Sequence, residues 1–329
     1  MRIHLQNPVN DPLFRFSREM WDAAVARAGG RAGEIGAGHV MSLGETAGEL
    51  TEGMAQAEAL ISDTGTIKAS FPLHAPQLRL IMATSAGLNL LAPFDWLPPG
   101  VGLLNNSGTH ADKAGEFALM SVLMLANRIA GFVTDQRAGR WNKRWGSVLR
   151  GRRVVVVGLG SLGGAAAKHF TAFGMHVTGV RTRAEPHPCC AEVITIADLD
   201  QALAAAEFLV LACPLTEATR NLIDRRRLAL LPDGAGLVNI GRGALLDQDA
   251  LCDALDAARL AAVLDVFTPE PVPPGHRLWS TPNLIMSPHT SADDPNTYNP
   301  DSLDIFFANL LARRDGRPMP NLFDVQRGY

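Results

Sequence analysis

The sequence predicts an α/β protein with two parallel-sheet domains, the larger of them doubly wound. Three observations carry this. Residues Arg153-Val154-Val155-Val156-Val157 form a β-branched apolar run, as expected of a strand buried on both faces, and run directly into Gly158-Leu159-Gly160-Ser161-Leu162-Gly163. Beyond that turn, five more short apolar runs alternate with helical patterns as far as residue 286. Residues 1–106 show the same alternation on a smaller scale.

Residues 2–6 alternate weakly and read as an edge strand. Asp11 to Gly29 places Phe14, Met20, Trp21, Ala24, Val25 and Ala28 at near-helical spacing and stops at Gly29-Gly30. A helix over Glu49–Ala57 and strands over Ala59–Ser62, Leu78–Ala83 and Val101–Asn106 complete the first domain. His110 to Arg128 reads as one long connecting helix, with Phe117, Met120, Leu123 and Met124 at core spacing. After the glycine turn come strands at Met175–Val180, Phe208–Ala212, Ala235–Ile240, Leu260–Val266 and Leu284–Met286. Helices over Asp198–Ala206, Arg225–Leu231 and Gln248–Ala258 lie between them. Asn299-Pro300-Asp301 offers a cap and a first-turn proline for a last helix reaching about Arg313. With no strand after it, that helix is expected to cross back to the first domain.

Bulk properties narrow the function. Of 329 residues, 47% are hydrophobic and 19% charged, with a net charge of -3, so no basic face for nucleic acid is predicted. The N-terminus lacks the apolar core of a signal peptide, and no apolar run approaches the ~20 residues of a membrane span. Cys189, Cys190, Cys213 and Cys252 have no zinc-site spacing, so no metal site is expected and reduced thiols in a cytoplasmic protein are the simpler reading. Trp141 and Trp145 stand among arginines in Arg137–Leu149, which suits either an oligomer interface or domain packing.

A strand, a glycine turn and a helix N-terminus in that order can make an anion site: Gly158, Gly160 and Gly163 permit close backbone approach, and the free N–H groups at Ser161, Leu162 and Gly163 face a phosphate. A bare Gly-x-Gly-x-x-Gly is often an ordinary turn; its flanks favour a dinucleotide here. The next strand ends Arg181-Thr182-Arg183, where an acidic residue would accept from the ribose hydroxyls of NADH. The acid is missing until Glu185, and the two arginines with Thr182 suit the 2′-phosphate of NADPH. The plainer alternative is that the arginines are solvated and either cofactor, NADH included, is accepted.

Arg242, Glu270 and His289 each follow a strand, the fourth, fifth and sixth of the larger domain. In one crevice, His289 can give a proton near neutrality, Glu270 can orient it and stabilise its charge, and the Arg242 fork can hold a substrate carboxylate. Singly, each residue also fits a structural role.

These motifs resemble the D-isomer-specific 2-hydroxyacid dehydrogenase family, with a glyoxylate/hydroxypyruvate reductase-like character. The resemblance rests on Thr84-Ser85-Ala86-Gly87, the glycine turn, Cys213-Pro214-Leu215-Thr216 with Thr219, and Asn239-Ile240-Gly241-Arg242-Gly243. It continues through Leu264-Asp265-Val266-Phe267 with Glu270-Pro271, Trp279 with Pro282-Asn283, Ser287-Pro288-His289 and the tail from Asn321 to Tyr329. It implies two doubly wound domains: a Rossmann-type nucleotide domain, 107–292, inserted in a flavodoxin-like substrate domain, 1–106 and 293–329. It implies that Ser85, Ala86 and Gly87 bind the substrate carboxylate through backbone N–H groups, and that Asp265 holds the nicotinamide carboxamide. It further implies that Cys213, Pro214, Ile240 and Gly241 line the cofactor, and that the chain is a homodimer with Trp141 and Trp145 near its contact. The activity implied is NADPH-dependent reduction of a small 2-oxo acid to the D-2-hydroxy acid. Formate dehydrogenases of this type carry Gln in place of Glu270, so formate oxidation fits less well. The alternative of a different class is a nucleotide-sensing interaction protein resembling the C-terminal-binding corepressors. Two features depart from the family form: Arg181 at the second strand's end, and the polar, double-proline stretch Thr290–Pro300.

Overall fold

The computed structural model describes residues 1–8, 15–28 and 39–325. Phe14, the Gly29-Gly30 stop and the last four residues of the tail motif lie outside them. The chain forms two compact units, Met1–His110 with Asp294–Tyr329, and Ala111–Asp293.

The first unit holds β1 (Arg2–Gln6), α1 (Arg18–Arg27), β2 (Val40–Gly44), α2 (Ala47–Met54), β3 (Ala59–Ser62), α3 (Thr64–Ser70), β4 (Leu80–Ala83) and β5 (Gly102–Leu104). Its sheet is parallel with order β2-β1-β3-β4-β5. This corrects the expected edge position of residues 2–6: β1 is interior, because Val40–Gly44, a strand the hydrophobic pattern does not announce, pairs along its other side. Alternation along the strands feeds two cores. Ile3, Leu5, Ala59, Ile61, Leu80 and Met82 face one way, and Leu60, Ile81, Ala83 and Leu103 the other. Helix α1 starts at Arg18, later than expected, because the Ser17 side chain accepts from Met20 N and caps it there.

The second unit holds α4 (Ala111–Ala126), α5 (Ile129–Arg137), β6 (Arg153–Val157), α6 (Ser161–Ala172), β7 (His176–Val180), β8 (Glu192–Ile194), α7 (Leu199–Ala204), β9 (Phe208–Leu211), α8 (Arg225–Leu230), β10 (Gly236–Asn239), α9 (Gln248–Asp256), β11 (Ala261–Leu264) and β12 (Leu284–Met286). The connecting helix expected over His110–Arg128 is α4; Arg128, with a φ of 61°, then turns the chain into a second helix, α5, that the sequence reading did not include. The sheet has seven strands, one more than expected: β8 adds an outer strand beyond β7. Its order, β12-β11-β10-β9-β6-β7-β8, reverses direction between β6 and β9, the switch point at which doubly wound sheets bind their ligands. Val154, Val156, Val210 and Val238 fill one face, and Val155, Val157, Leu209 and Leu237 the other.

Helix α10 (Tyr298–Arg314) returns to the first unit, where Leu303, Phe306 and Phe307 join its core and Phe307 packs on Trp21 at 5.0 Å. Asn299 does not cap it. The helix starts two residues earlier than such a cap would place it, after Thr297, and Asn299 is buried inside its first turn. Among the described residues, no single helix is long and apolar enough to cross a membrane.

Candidate active site

The glycine turn leaves β6 at its carboxyl end. A Cβ on Gly163 would lie 1.8 Å from the Gly158 carbonyl oxygen, so only glycine lets α6 begin so close to the strand. A Cβ on Gly160 would meet nothing within 4 Å, and Gly160 supplies no side-chain cap to α6. The first N–H groups of this helix are therefore uncommitted within the turn. Ser161 Oγ beside them is buried with no hydrogen-bond partner among the described residues. Open space, free donors and an orphaned hydroxyl are what a pyrophosphate would satisfy. The residues present fit a dinucleotide.

Other residues predicted for the cofactor lie at neighbouring strand ends. Cys213 follows β9 and is buried, which pushes its thiol up to about 11 and keeps it neutral. Its backbone packs against Gly158. The Pro214 carbonyl accepts from Thr219 Oγ1 at 2.8 Å. Ile240 donates to the Leu211 carbonyl, and Gly241 N donates to Asn239 Oδ1 at 3.0 Å. After β7, Thr182 and Arg183 are exposed. Arg181 is not free: its Nη2 donates to Glu185 Oε2 at 2.6 Å and its Nε to the Arg183 carbonyl at 3.1 Å.

Three strand ends carry Arg242, Glu270 and His289, the residues expected to react. A Cβ on Gly243 would come 2.1 Å from the Phe267 carbonyl, so the turn carrying Arg242 sits directly on the chain leaving β11. Asn239 Nδ2 donates to the Arg242 carbonyl and fixes that turn. Burial pulls the Arg242 guanidinium below its ordinary pKa, while the Glu270 charge opposes the shift. An arginine stays cationic through such a shift. Glu270 uses both oxygens: Oε1 accepts from Phe267 N at 2.6 Å, and Oε2 lies 2.7 Å from His289 Nδ1. A carboxylate on Nδ1 sets the tautomer with its proton there and leaves Nε2 for a ligand. The His289 side chain is 49% exposed, and its backbone takes a φ of 54°, a conformation a histidine adopts only when its surroundings impose it.

Asp265 imposes it. Its buried Oδ1 accepts from Ser287 Oγ at 2.6 Å and Thr290 N at 3.0 Å, and its Oδ2 from Ser291 N at 3.1 Å. Its carbonyl accepts from His289 N at 2.8 Å. Asp265 thus clamps the loop on both sides of His289. The sequence points to Asp265 only as a cofactor contact; the paired signal was the hydroxyl of Ser287 two residues before the histidine. Beside Glu270 and His289 opens a cavity of about 470 Å³, lined by Phe267, Pro271, Val272, Trp279 and Met286. None of these apolar residues was expected at the site from the sequence.

In the first unit, Ser85, Ala86 and Gly87 follow β4 and are half-buried. The turn is held from both sides: Asn106 N donates to the Ser85 carbonyl at 3.0 Å, and Tyr298 Oη donates to that of Thr84.

Residues 119–291 match the family described as D-isomer specific 2-hydroxyacid dehydrogenase, NAD binding domain. Glyoxylate/hydroxypyruvate reductase B of Pectobacterium atrosepticum is 32% identical over 282 residues, covering 83% of this chain and 87% of that protein. The chain belongs to the D-isomer specific 2-hydroxyacid dehydrogenase family. Solved structures agree with this. The family protein from Aeromonas salmonicida superposes with a TM-score of 0.79 at 26% identity, covering 98% of this chain and 99% of that one. The D-isomer specific 2-hydroxyacid dehydrogenase from Xanthobacter autotrophicus, in complex with NADPH and MES, gives 0.76 at 27% identity and 99% of both chains. The matched span of this 2-hydroxyacid dehydrogenase lies within its second unit and contains the glycine turn, Arg242, Glu270 and His289. Its fold is the one the sequence predicted, two parallel-sheet α/β domains of which one is Rossmann-type.

Proposed function

We propose that this protein reduces a small 2-oxo acid, of the glyoxylate or hydroxypyruvate kind, to the D-2-hydroxy acid with NADPH. The observation that carries the reading is the Glu270–His289 pair at 2.7 Å, at the carboxyl ends of the same sheet whose first strand feeds the glycine turn. The bound cofactor would supply the hydride. His289 Nε2 would protonate the carbonyl oxygen, and Glu270 would stabilise the resulting imidazolium and keep the ring in place. Arg242, desolvated and cationic, would hold the substrate carboxylate and polarise the adjacent carbonyl, with backbone N–H groups of Ser85, Ala86 and Gly87 assigned to the same carboxylate by family resemblance. Gly158, Gly160, Ser161, Leu162 and Gly163 would hold the pyrophosphate, Cys213, Pro214, Ile240 and Gly241 would line the nucleotide, and Asp265 would take the carboxamide beside its loop contacts. Arg181, Thr182 and Arg183, with no acid at the end of β7, favour the 2′-phosphate. The reading is supported by a relative named glyoxylate/hydroxypyruvate reductase B and by a related structure that holds NADPH.

We also propose a homodimer. Trp141 and Trp145 are 91% and 85% exposed, next to Val148, and isolated indoles seldom stay so open to water. The same unit has a hollow of about 500 Å³ lined by Arg128, Arg140 and Arg144, and guanidinium planes stack well on indole faces. A second copy offers both surfaces reciprocally.

The test of the activity is NADPH absorbance in a panel of 2-oxo acids. Loss of absorbance with glyoxylate or hydroxypyruvate is expected; no oxidation with any member of the panel would overturn the reading.

A further inference from the structure

The Arg181–Glu185 contact bears on cofactor choice. Glu185 Oε2 sits 2.6 Å from Arg181 Nη2, so a carboxylate from this chain occupies the guanidinium nitrogen that a 2′-phosphate would use. The second polar edge of the same guanidinium, Nε, is taken by the Arg183 carbonyl at 3.1 Å. Glu185 is held over Arg181 by a tight turn, in which its own N–H donates to that same Arg183 carbonyl at 2.8 Å. The pair is solvent-facing: the Arg181 side chain is 29% exposed and that of Glu185 is 60% exposed. An ion pair so open is weak and readily exchanged for a stronger anion. It differs from the acid at a strand end that accepts ribose hydroxyls, because it lies four residues past Arg181 and points back at the cation.

We infer that Glu185 is a specificity-determining residue: an internal competitor that holds Arg181 against the 2′-phosphate, lowers affinity for NADPH and so keeps NADH usable. This rests on the NADPH reading above. A phosphate reaching Arg181 must displace the carboxylate, and once displaced the carboxylate remains close enough to repel the phosphate dianion. A nucleotide without the 2′-phosphate meets neither penalty. The competition acts through Arg181, so without Arg181 only the direct repulsion of the phosphate should remain.

The test is titration calorimetry with two probes that differ only in the 2′-phosphate, 2′,5′-ADP and 5′-AMP. The proteins are the wild type, Glu185→Gln, Arg181→Ala and the double variant. Glutamine keeps the size of the side chain and removes its charge. The expected result is that Glu185→Gln binds 2′,5′-ADP about three- to tenfold more tightly, the size of an exposed pair plus one screened repulsion, with 5′-AMP unchanged. The gain should be smaller in the double variant relative to Arg181→Ala, because the part due to competition for Arg181 is lost; an equal gain in both backgrounds would overturn the inference. If the wild type prefers 2′,5′-ADP but Glu185→Gln binds it no better, or gains equally for both probes, the inference falls and the cofactor reading stands. If neither protein distinguishes the probes, the cofactor reading falls and takes the inference with it.

Discussion

His289 is placed by two carboxylates that do different work. Glu270 touches the ring; Asp265 accepts from the Ser287 hydroxyl before it and from the backbone N–H groups of His289, Thr290 and Ser291. Glu270→Gln should therefore leave the fold intact and lower kcat by about ten- to a hundredfold, since the amide cannot stabilise the imidazolium as an anion does. Steady-state kinetics on the purified variant measure this, and a kcat within twofold of wild type would remove Glu270 from the reaction. The Glu270–His289 partnership was legible in the sequence, because both residues follow strands whose ends share one crevice. The Glu185–Arg181 contact was not. Its geometry depends on how the loop after β7 turns back, which no spacing in Arg181–Glu185 specifies. The clamp by Asp265 was largely hidden, since all its contacts but the one to the Ser287 hydroxyl are made to backbone N–H groups that every residue carries.

At the level of elements, the glycine turn fixes where α6 can begin. With a methyl group 1.8 Å from the Gly158 carbonyl oxygen, Gly163→Ala forces that methyl against backbone, where no side-chain movement gives relief. The variant is expected to bind NADPH at least about tenfold more weakly, as α6 is pushed from the strand and its N–H groups lose their aim. Fluorescence titration of the nucleotide checks this, and unchanged affinity would mean the turn does not carry the phosphates. Strongly apolar elements such as β6, β9 and the edge strand β12 could be read from the sequence to within a residue or so. The outer strands β2 and β8 could not. Residues Glu192–Ile194 make a strand of three with polar flanks, and Val40–Gly44 buries only Met41 and Gly44. Both are strands because a neighbour offers them a ladder, not because of their own pattern. For the same reason residues 2–6 looked like an edge: their alternation is local, while their position in the sheet is set by Val40–Gly44.

For the whole molecule, the order of the seven-stranded sheet explains why candidate residues of the second unit come from sequence positions more than a hundred residues apart. Parallel doubly wound sheets gather every strand's carboxyl end on one rim, so Gly158, Cys213, Arg242, Asp265 and His289 reach that rim from five strands. The proposed dimer belongs to this scale. Trp141→Ala with Trp145→Ala is expected to convert the dimer to monomer in sedimentation velocity at micromolar concentration, since exposed tryptophans of this kind cost about 2 kcal/mol or more each when they anchor an interface. A double variant that sediments like the wild type would place the contact elsewhere.

The proposed chemistry turns on His289 delivering the proton to a substrate oxygen beside a bound nicotinamide. Measuring both kcat with NADPH and glyoxylate and the Kd for NADPH in His289→Asn tests it most directly. The expected result is a Kd within about twofold of wild type and a kcat lower by about a hundred- to ten-thousandfold, the contribution of a general acid. A variant that binds NADPH normally and turns over within tenfold of wild type would contradict it.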